Sequence, residues 1–156
     1  GPHRPPGPRH TPPLTPMPSQ EPLPTFEFAF PGPLRDRLVA AVLSGAKTTT
    51  TGLLADYEHA GDPLPRAGER YQVPASDGRP VAVIEVTEVR VLRLADVDLR
   101  HAVDEGEGHE TLADWRADHE TFWHSPEMRE ALGDPEFRVD DDTRVVTERF
   151  RVVERL

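Results

Sequence analysis

Apolar residues recur along the chain at two spacings, and one of them predicts a helix over residues 33–44. This segment begins with a proline, which suits the first turn of a helix, and Gly45 follows it as a typical C-terminal cap. Its apolar positions at helical spacing are Leu34, Leu38, Ala41 and Val42. The same spacing places Arg35, Asp36 and Arg37 on a different face, away from the core.

The other spacing, in which apolar or β-branched residues alternate or run together, predicts strands. Three strands are expected, over residues 69–74, 80–92 and 143–155. Ser76-Asp77-Gly78 predicts a hairpin turn between the first two strands. Residues 25–30 also alternate, which predicts either a short strand or a segment that docks onto the core. The threonine run 48–51 favours an extended backbone, because β-branched side chains pack well in strands.

The remaining helical patterns fall between the strands. They are expected over residues 53–59, 95–101 (a short helix or turn), 111–124 and 126–132. The third has a broad apolar face formed by Leu112, Trp115, His119, Phe122 and Trp123. Because strands and helices do not alternate as βαβ units, the order predicts an α+β fold. We expect a mixed or antiparallel sheet curled into a small β-barrel with peripheral helices.

The proline-rich beginning of the chain differs in composition from the rest. Residues 1–24 hold 10 of the 18 prolines and few large apolar side chains, so they cannot bury enough surface to offset the entropy of ordering. We predict a disordered tail, whose Gly1-Pro2-His3 resembles the remnant of a cleaved tag. Residues 25–156 are then expected to form one domain.

Charge and composition limit the possible partners. The net charge is −10, and the tail contributes +1 through Arg4, Arg9 and Glu21, which leaves −11 on the predicted domain. Duplex DNA is an unlikely partner, because such binding depends on neutralising phosphates. No apolar run is long enough for a membrane span. Cysteine is absent, which excludes disulfides and thiolate metal sites and favours a cytoplasmic protein.

Lys47 is the only lysine among 18 lysine and arginine residues. The chain otherwise uses arginine for positive charge, so this position indicates a need for a slim or titratable amine. It follows the predicted helix and enters the threonine run, with Gly45 and Gly52 on either side. An amine followed three residues later by the hydroxyl of Thr50 is a candidate polar site.

Two motifs carry a resemblance to a known family. Gly45-x-Lys47-x-x-Thr50 is similar to the signature of ASCH domains, relatives of the PUA RNA-binding fold, although this chain has Gly52 where the family pattern has arginine. The Glu-Gly-Glu-Gly loop at 105–108, followed by a helix containing Trp115, resembles the larger bacterial ASCH proteins. The resemblance extends from residue 26 to about 156.

The resemblance implies a five- or six-stranded β-barrel with a cleft lined by the Lys-x-x-Thr segment. Family members have been assigned RNA binding, ribonuclease action and amide hydrolysis on acylated cytidine. In the amidohydrolase members a lysine, a threonine and a glutamate act together, which corresponds to Lys47, Thr50 and Glu107, with Glu105 as the alternative carboxylate. By analogy we expect a hydrolase acting on single-stranded RNA. The alternatives are an amidohydrolase for acylated cytidine-type nucleosides and a non-catalytic module that binds RNA or a small ligand.

Further residues are candidates for ligand binding. They are Thr48, Thr51, Tyr57, Glu105, Trp115, Arg116 and His119, which offer hydroxyls, stacking surfaces and charge for a base or phosphate. Each also has a structural alternative: the threonines as strand residues, Trp115 as core, Arg116 in a surface ion pair. No cofactor or metal is expected, since His119 and His124 are five residues apart and no His-Glu-x-x-His motif is present. Dependence on a divalent metal stays open.

Overall fold

An antiparallel sheet of four strands organises residues 23–156, the part of the chain that the computed structural model describes. The strands are β1 (Thr49–Leu53), β2 (Arg70–Pro74), β3 (Pro80–Arg93) and β4 (Arg144–Arg155), in the order β1-β4-β3-β2. The last strand in sequence is therefore central, paired with β1 on one side and β3 on the other. The tail expected to be disordered lies, up to residue 22, outside the described residues.

The sheet is curled, as in the PUA-like α+β fold that the sequence predicts. Register shifts occur within β3 between Val83 and Ile84 and between Val86 and Glu88, and such irregularities bend a strand and increase its twist. Residues 25–30 contribute only one bridge, a parallel one between Thr25 and Gln72. They are therefore a docking segment, and the described chain has four strands where five or six were expected.

Five helices surround the sheet in residues 23–156. They are α1 (Pro33–Ser44), α2 (Leu54–Ala60), α3 (Leu99–Asp104), α4 (Leu112–Trp123) and α5 (Pro126–Leu132), with a 3₁₀ turn at Leu94–Asp96. Gly45 ends α1 in the left-handed conformation with φ 87°, which a residue with a side chain adopts only at a cost. Within these residues, no helix has both the length and the hydrophobicity to cross a bilayer.

Two sequence-based expectations about helix faces are wrong. Arg35 was placed away from the core but is only 2% exposed, because residues 26–30 pack over α1. Its guanidinium donates hydrogen bonds to the backbone oxygens of Phe28 and Ala29 (3.2 and 2.7 Å) and pairs with Glu27. Leu112 was placed on the apolar face of α4, but it is 39% exposed at the start of that helix.

Two hydrophobic clusters pack against the sheet. One surrounds α3, α4 and α5 and includes Trp115 and Trp123; the other surrounds α1 and the docking segment and includes Phe28 and Phe150. A cleft lined by residues from both clusters lies between them, with Phe28 on one side and Trp123 on the other. The sheet, the docking segment and α4 thus position the candidate site.

Candidate functional site

The cleft has a volume of about 660 Å³ and combines apolar walls with a strongly polar lining. Its size and mixed character are typical of small-molecule sites. The apolar walls include Phe28, Phe30, Leu34, Leu38, Phe122 and Met128. The polar residues include Lys47, Thr50, Thr51, Tyr57, Glu105, Glu107, His119 and Glu148.

The glycine between the two acidic residues of the 105–108 loop brings that loop against the beginning of the threonine run. Gly106 has φ 73°, and a Cβ atom on it would lie 2.6 Å from the carbonyl carbon of Ala46 and 2.8 Å from Cα of Lys47. Only glycine permits this approach of two backbones. Thr48 N–H also donates to the Asp104 oxygen at 2.8 Å, which fixes the two segments together.

Lys47 lies between the two carboxylates of the loop. Its Nζ atom is 3.6 Å from Oε1 of Glu105 and 3.7 Å from Oε2 of Glu107, and its side chain is 1% exposed. Nζ also donates to the backbone oxygen of Thr49 at 2.8 Å and lies 5.8 Å from the ring centre of Phe28. The structure therefore brings together the lysine and both candidate carboxylates from segments almost 60 residues apart.

Glu105 is the most connected group in the cleft. Its side chain is 1% exposed, and Thr51 Oγ1 donates to Oε2 at 2.5 Å while His119 Nε2 lies 3.1 Å from Oε1. Burial alone would raise the pKa of Glu105, but the charge of Lys47 and hydrogen bonds from His101 and His119 hold it well below its ordinary value. Glu105 is thus a permanent anion that anchors its neighbours.

The contacts of His119 require a doubly protonated ring. Nδ1 faces the backbone oxygen of Trp115 at 2.9 Å, and Nε2 faces the ionised Glu105. Both partners only accept hydrogen bonds, so both ring nitrogens must donate. Burial would lower the pKa of His119, yet the hydrogen bond to Glu105 and its charge raise it above the ordinary value. His119 therefore supplies a second positive charge beside Lys47.

Glu107 differs from Glu105 in exposure and in the direction of its pKa shift. Its side chain is 24% exposed and reaches the open cleft. Burial and repulsion from Glu105 raise its pKa, against the opposing effect of Lys47. Two neighbouring carboxyls with pKa values shifted in opposite directions can divide the roles of fixed charge and proton carrier.

The four threonines have different surroundings. Thr50 lines the cleft, and its hydroxyl has no hydrogen-bond partner within residues 23–156. Thr51 donates to Glu105, so His101 Nε2, at 2.7 Å, must donate to Thr51. Thr49 is buried and bonds the His101 backbone oxygen, and Thr48 contacts the Asp104 oxygen. Thr50 and Thr51 therefore belong to the cleft, and Thr48 serves the backbone junction.

Glu148 is a cleft residue that the sequence-based reasoning missed. It lies on the central strand β4 directly opposite Thr50 of β1, is 2% exposed, and accepts a hydrogen bond from Tyr57 at 2.7 Å. Burial raises the pKa of Glu148 to about 7, while Tyr57 and Lys47 oppose the rise. The sequence did contain a signal for this residue: a glutamate lies within a predicted strand between valines and Phe150, where a buried charge indicates a functional site.

The structure also shows the surroundings of Gly52, Trp115 and Arg116. A Cβ atom on Gly52 would lie 3.6 Å from the Tyr57 ring, so tyrosine fills space beside the position where the family signature has arginine. Trp115 is 1% exposed and stacks on His119 with ring centres 4.3 Å apart, which leaves no face for a ligand. Arg116 pairs with Glu120 and Asp141 outside the cleft.

The cluster also contains potential metal ligands. One atom each from Glu105, Glu107 and His119 lies within 4.8 Å of the others. In this arrangement Lys47 already contributes positive charge beside both carboxylates, and His119 Nε2 is directed at Glu105 rather than into the cleft. The potential metal ligands therefore already have partners among the side chains of the cluster.

Comparison with known proteins identifies the family. The ASCH domain family matches residues 27–154. A protein from Enterococcus faecalis V583 has a similar structure, with a TM-score of 0.70, 27% identity, and coverage of 86% of this chain and 77% of that chain. An ASCH domain from Lactobacillus crispatus JV V101 is also similar, with a TM-score of 0.68 and 28% identity. The match covers 82% of this chain and 79% of that chain. No curated protein matches significantly. The chain belongs to the ASCH domain family.

Proposed function

We propose that this ASCH domain hydrolyses an amide bond on a neutral, nucleoside-like ligand held in the cleft. The observation that carries the proposal is the pairing of a fixed anion, Glu105, with a proton-carrying carboxyl, Glu107, on the two sides of Lys47. Water attack on an amide requires a base, a positive charge for the developing oxyanion and an acid for the leaving nitrogen.

The three groups suit those tasks. Glu107 takes a proton from water, or from the Thr50 hydroxyl acting as nucleophile, as the acyl carbon is attacked. Lys47, kept in place by Glu105, stabilises the negative charge on the acyl oxygen. Protonated Glu107 then returns the proton to the departing nitrogen, which yields a carboxylic acid and an amino heterocycle. With Thr50 as nucleophile, water subsequently cleaves the acyl-threonine ester.

The charge of the lining supports a neutral ligand over a polyanion. Three basic residues, Arg37, Lys47 and His119, line the cleft together with six acidic ones. The acidic residues are Glu27, Asp56, Glu105, Glu107, Asp118 and Glu148. Phosphate groups are repelled by such a surface, so of the functions that the family resemblance implies, amide hydrolysis on a nucleoside fits better than cleavage of single-stranded RNA.

The test uses the purified protein with N4-acetylcytidine, cytidine and a short single-stranded RNA, with products identified by mass spectrometry. We expect N4-acetylcytidine to yield acetate and cytidine, and we expect the RNA to remain intact. Glu107→Gln should lower turnover by at least about 100-fold while binding of N4-acetylcytidine is kept. Binding without turnover in the unsubstituted protein would instead identify a ligand-binding module, and cleaved RNA would identify a ribonuclease.

A further inference from the structure

The strand-side wall of the cleft carries two polar groups that the catalytic proposal leaves partly unused. Glu148 on β4 and Thr50 on β1 lie directly opposite each other in register, and both line the cleft. Directly opposed residues of antiparallel strands have Cβ atoms about 5 Å apart. Their side chains therefore present neighbouring atoms to one ligand.

Glu148 has one carboxyl oxygen engaged and the other available. Oε2 accepts the hydrogen bond of Tyr57, whereas Oε1 has no hydrogen-bond partner within residues 23–156. The residue as a whole is 2% exposed, but Oε1 is not among the fully buried side-chain atoms that lack a partner in residues 23–156, so it remains accessible to a ligand. Tyr57 also lines the cleft, which places the carboxyl on the cleft side of the sheet.

We propose that Glu148 selects the ligand by accepting a hydrogen bond from the exocyclic N–H of a planar nitrogen heterocycle, with Thr50 beside it on the same edge. An ionised carboxylate only accepts hydrogen bonds, so it favours an amino or acylamino group and disfavours a carbonyl oxygen. Phe30 and Phe122, with ring centres 5.9 Å apart, add aromatic surface for a flat ring. This inference rests on the proposed nucleoside-like ligand.

The selectivity should depend on pH. Burial raises the pKa of Glu148 to about 7; from the cleft, Tyr57 and Lys47 lower this pKa and Glu105 raises it. Glu148 also lines a second polar pocket of about 390 Å³, whose other charged or titratable residues are Glu88 and Arg90 of β3, Asp98, Arg100 and His101 at α3, and Arg149 of β4. Above this pH the carboxylate accepts from an amino group; below it the carboxylic acid can donate to a carbonyl oxygen.

The experiment measures the affinities of cytidine and uridine by isothermal titration calorimetry at pH 6 and pH 8. These ligands differ in an amino group against a carbonyl oxygen at the same ring position. We expect the protein to prefer cytidine at pH 8 by about tenfold or more, and less at pH 6. Glu148→Gln, whose amide can donate, should reduce or reverse the preference at pH 8. Glu154→Gln, an exposed change on the same strand, should leave it intact.

Tyr57→Phe provides a second variant that retains the carboxyl. Since the Tyr57 hydrogen bond lowers the pKa of Glu148, its loss should move the pH at which the cytidine preference appears upward. Nucleoside binding with equal preference in the protein and in Glu148→Gln, or an unmoved midpoint in Tyr57→Phe, would overturn the inference and leave the proposed function standing. Binding of neither nucleoside, with no hydrolysis of N4-acetylcytidine, would overturn both.

Discussion

The two sides of the cleft differ in how far their polar groups are satisfied by neighbouring residues. On the loop side, Lys47 and His119 both pair with the carboxylate of Glu105. On the strand side, Thr50 and Glu148 retain polar atoms without partners in residues 23–156. A group whose hydrogen bonds are satisfied by its neighbours is held in place, whereas an unpaired one is available to a ligand.

The loop side holds charged groups in place, and the strand side offers polar atoms to a ligand. The loop side depends on Lys47 being between two carboxylates and on Gly106 letting the loop approach. The strand side depends on a carboxyl that is buried but accessible from the cleft. Changes on the loop side should therefore affect stability strongly, and changes on the strand side should affect selectivity and pH dependence.

Lys47→Ala should have the largest effect on stability. It removes one of the two cations that pair with the buried Glu105, and breaking such a buried pair costs about 3–5 kcal/mol of unfolding free energy. Lys47→Arg should lower activity almost as much as Lys47→Ala, because a bulkier guanidinium must fit where the side chain is 1% exposed. Urea unfolding and N4-acetylcytidine turnover are the measurements. Full activity in Lys47→Arg would refute the requirement for a slim amine.

Gly106→Ala should be the next most damaging change. The added Cβ would meet the Ala46–Lys47 backbone, and φ 73° is itself unfavourable for alanine, so we expect a loss of about 3 kcal/mol. Gly108→Ala is the matched control: it has φ 87° and open space around it, and should cost about 1 kcal/mol. Equal unfolding free energies for the two variants would mean that the close approach does not matter.

Glu148 should make stability fall as pH rises. Its pKa is about 7 in the folded protein, above its ordinary value of 4.5, so between these values the folded state binds a proton that the unfolded chain lacks. The unfolding free energy then decreases from pH 4.5 to 7, by about 2 kcal/mol for this group. The check is the difference between the protein and Glu148→Gln across that range. If the difference in unfolding free energy between the two proteins did not change with pH, the raised pKa of Glu148 would be contradicted.

Arg116→Ala should have the smallest effect. Arg116 pairs with Glu120 and Asp141 near the surface and lies outside the cleft. Such pairs contribute less than about 1 kcal/mol, and we expect unchanged affinity for cytidine. Thermal unfolding and calorimetry measure both. A marked loss of affinity would show that the ligand extends beyond the cleft to Arg116.

Much of the architecture follows from local patterns in the sequence. The helix at 33–44 and its cap at Gly45 were predicted from apolar spacing and one glycine, because both are properties of a few consecutive residues. Lys47 was predicted as a site residue because the chain uses arginine at every other lysine or arginine position. Gly106 and Gly108 also permit sharp backbone bends beside the two acids, which is again a property of a few consecutive residues.

Only the tertiary structure decided how the polar groups divide their roles. Glu105 and Glu107 are equivalent in a motif of alternating residues. In the structure, Lys47 and the two histidines hold the pKa of Glu105 well below its ordinary value, whereas burial and repulsion from Glu105 raise the pKa of Glu107. Arg35 was placed away from the core and Glu148 was missed, because only the docking segment and the sheet order bury these two charged residues. The periodicity of a strand or helix identifies its faces, but which faces become buried depends on the elements that pack against them from distant parts of the chain.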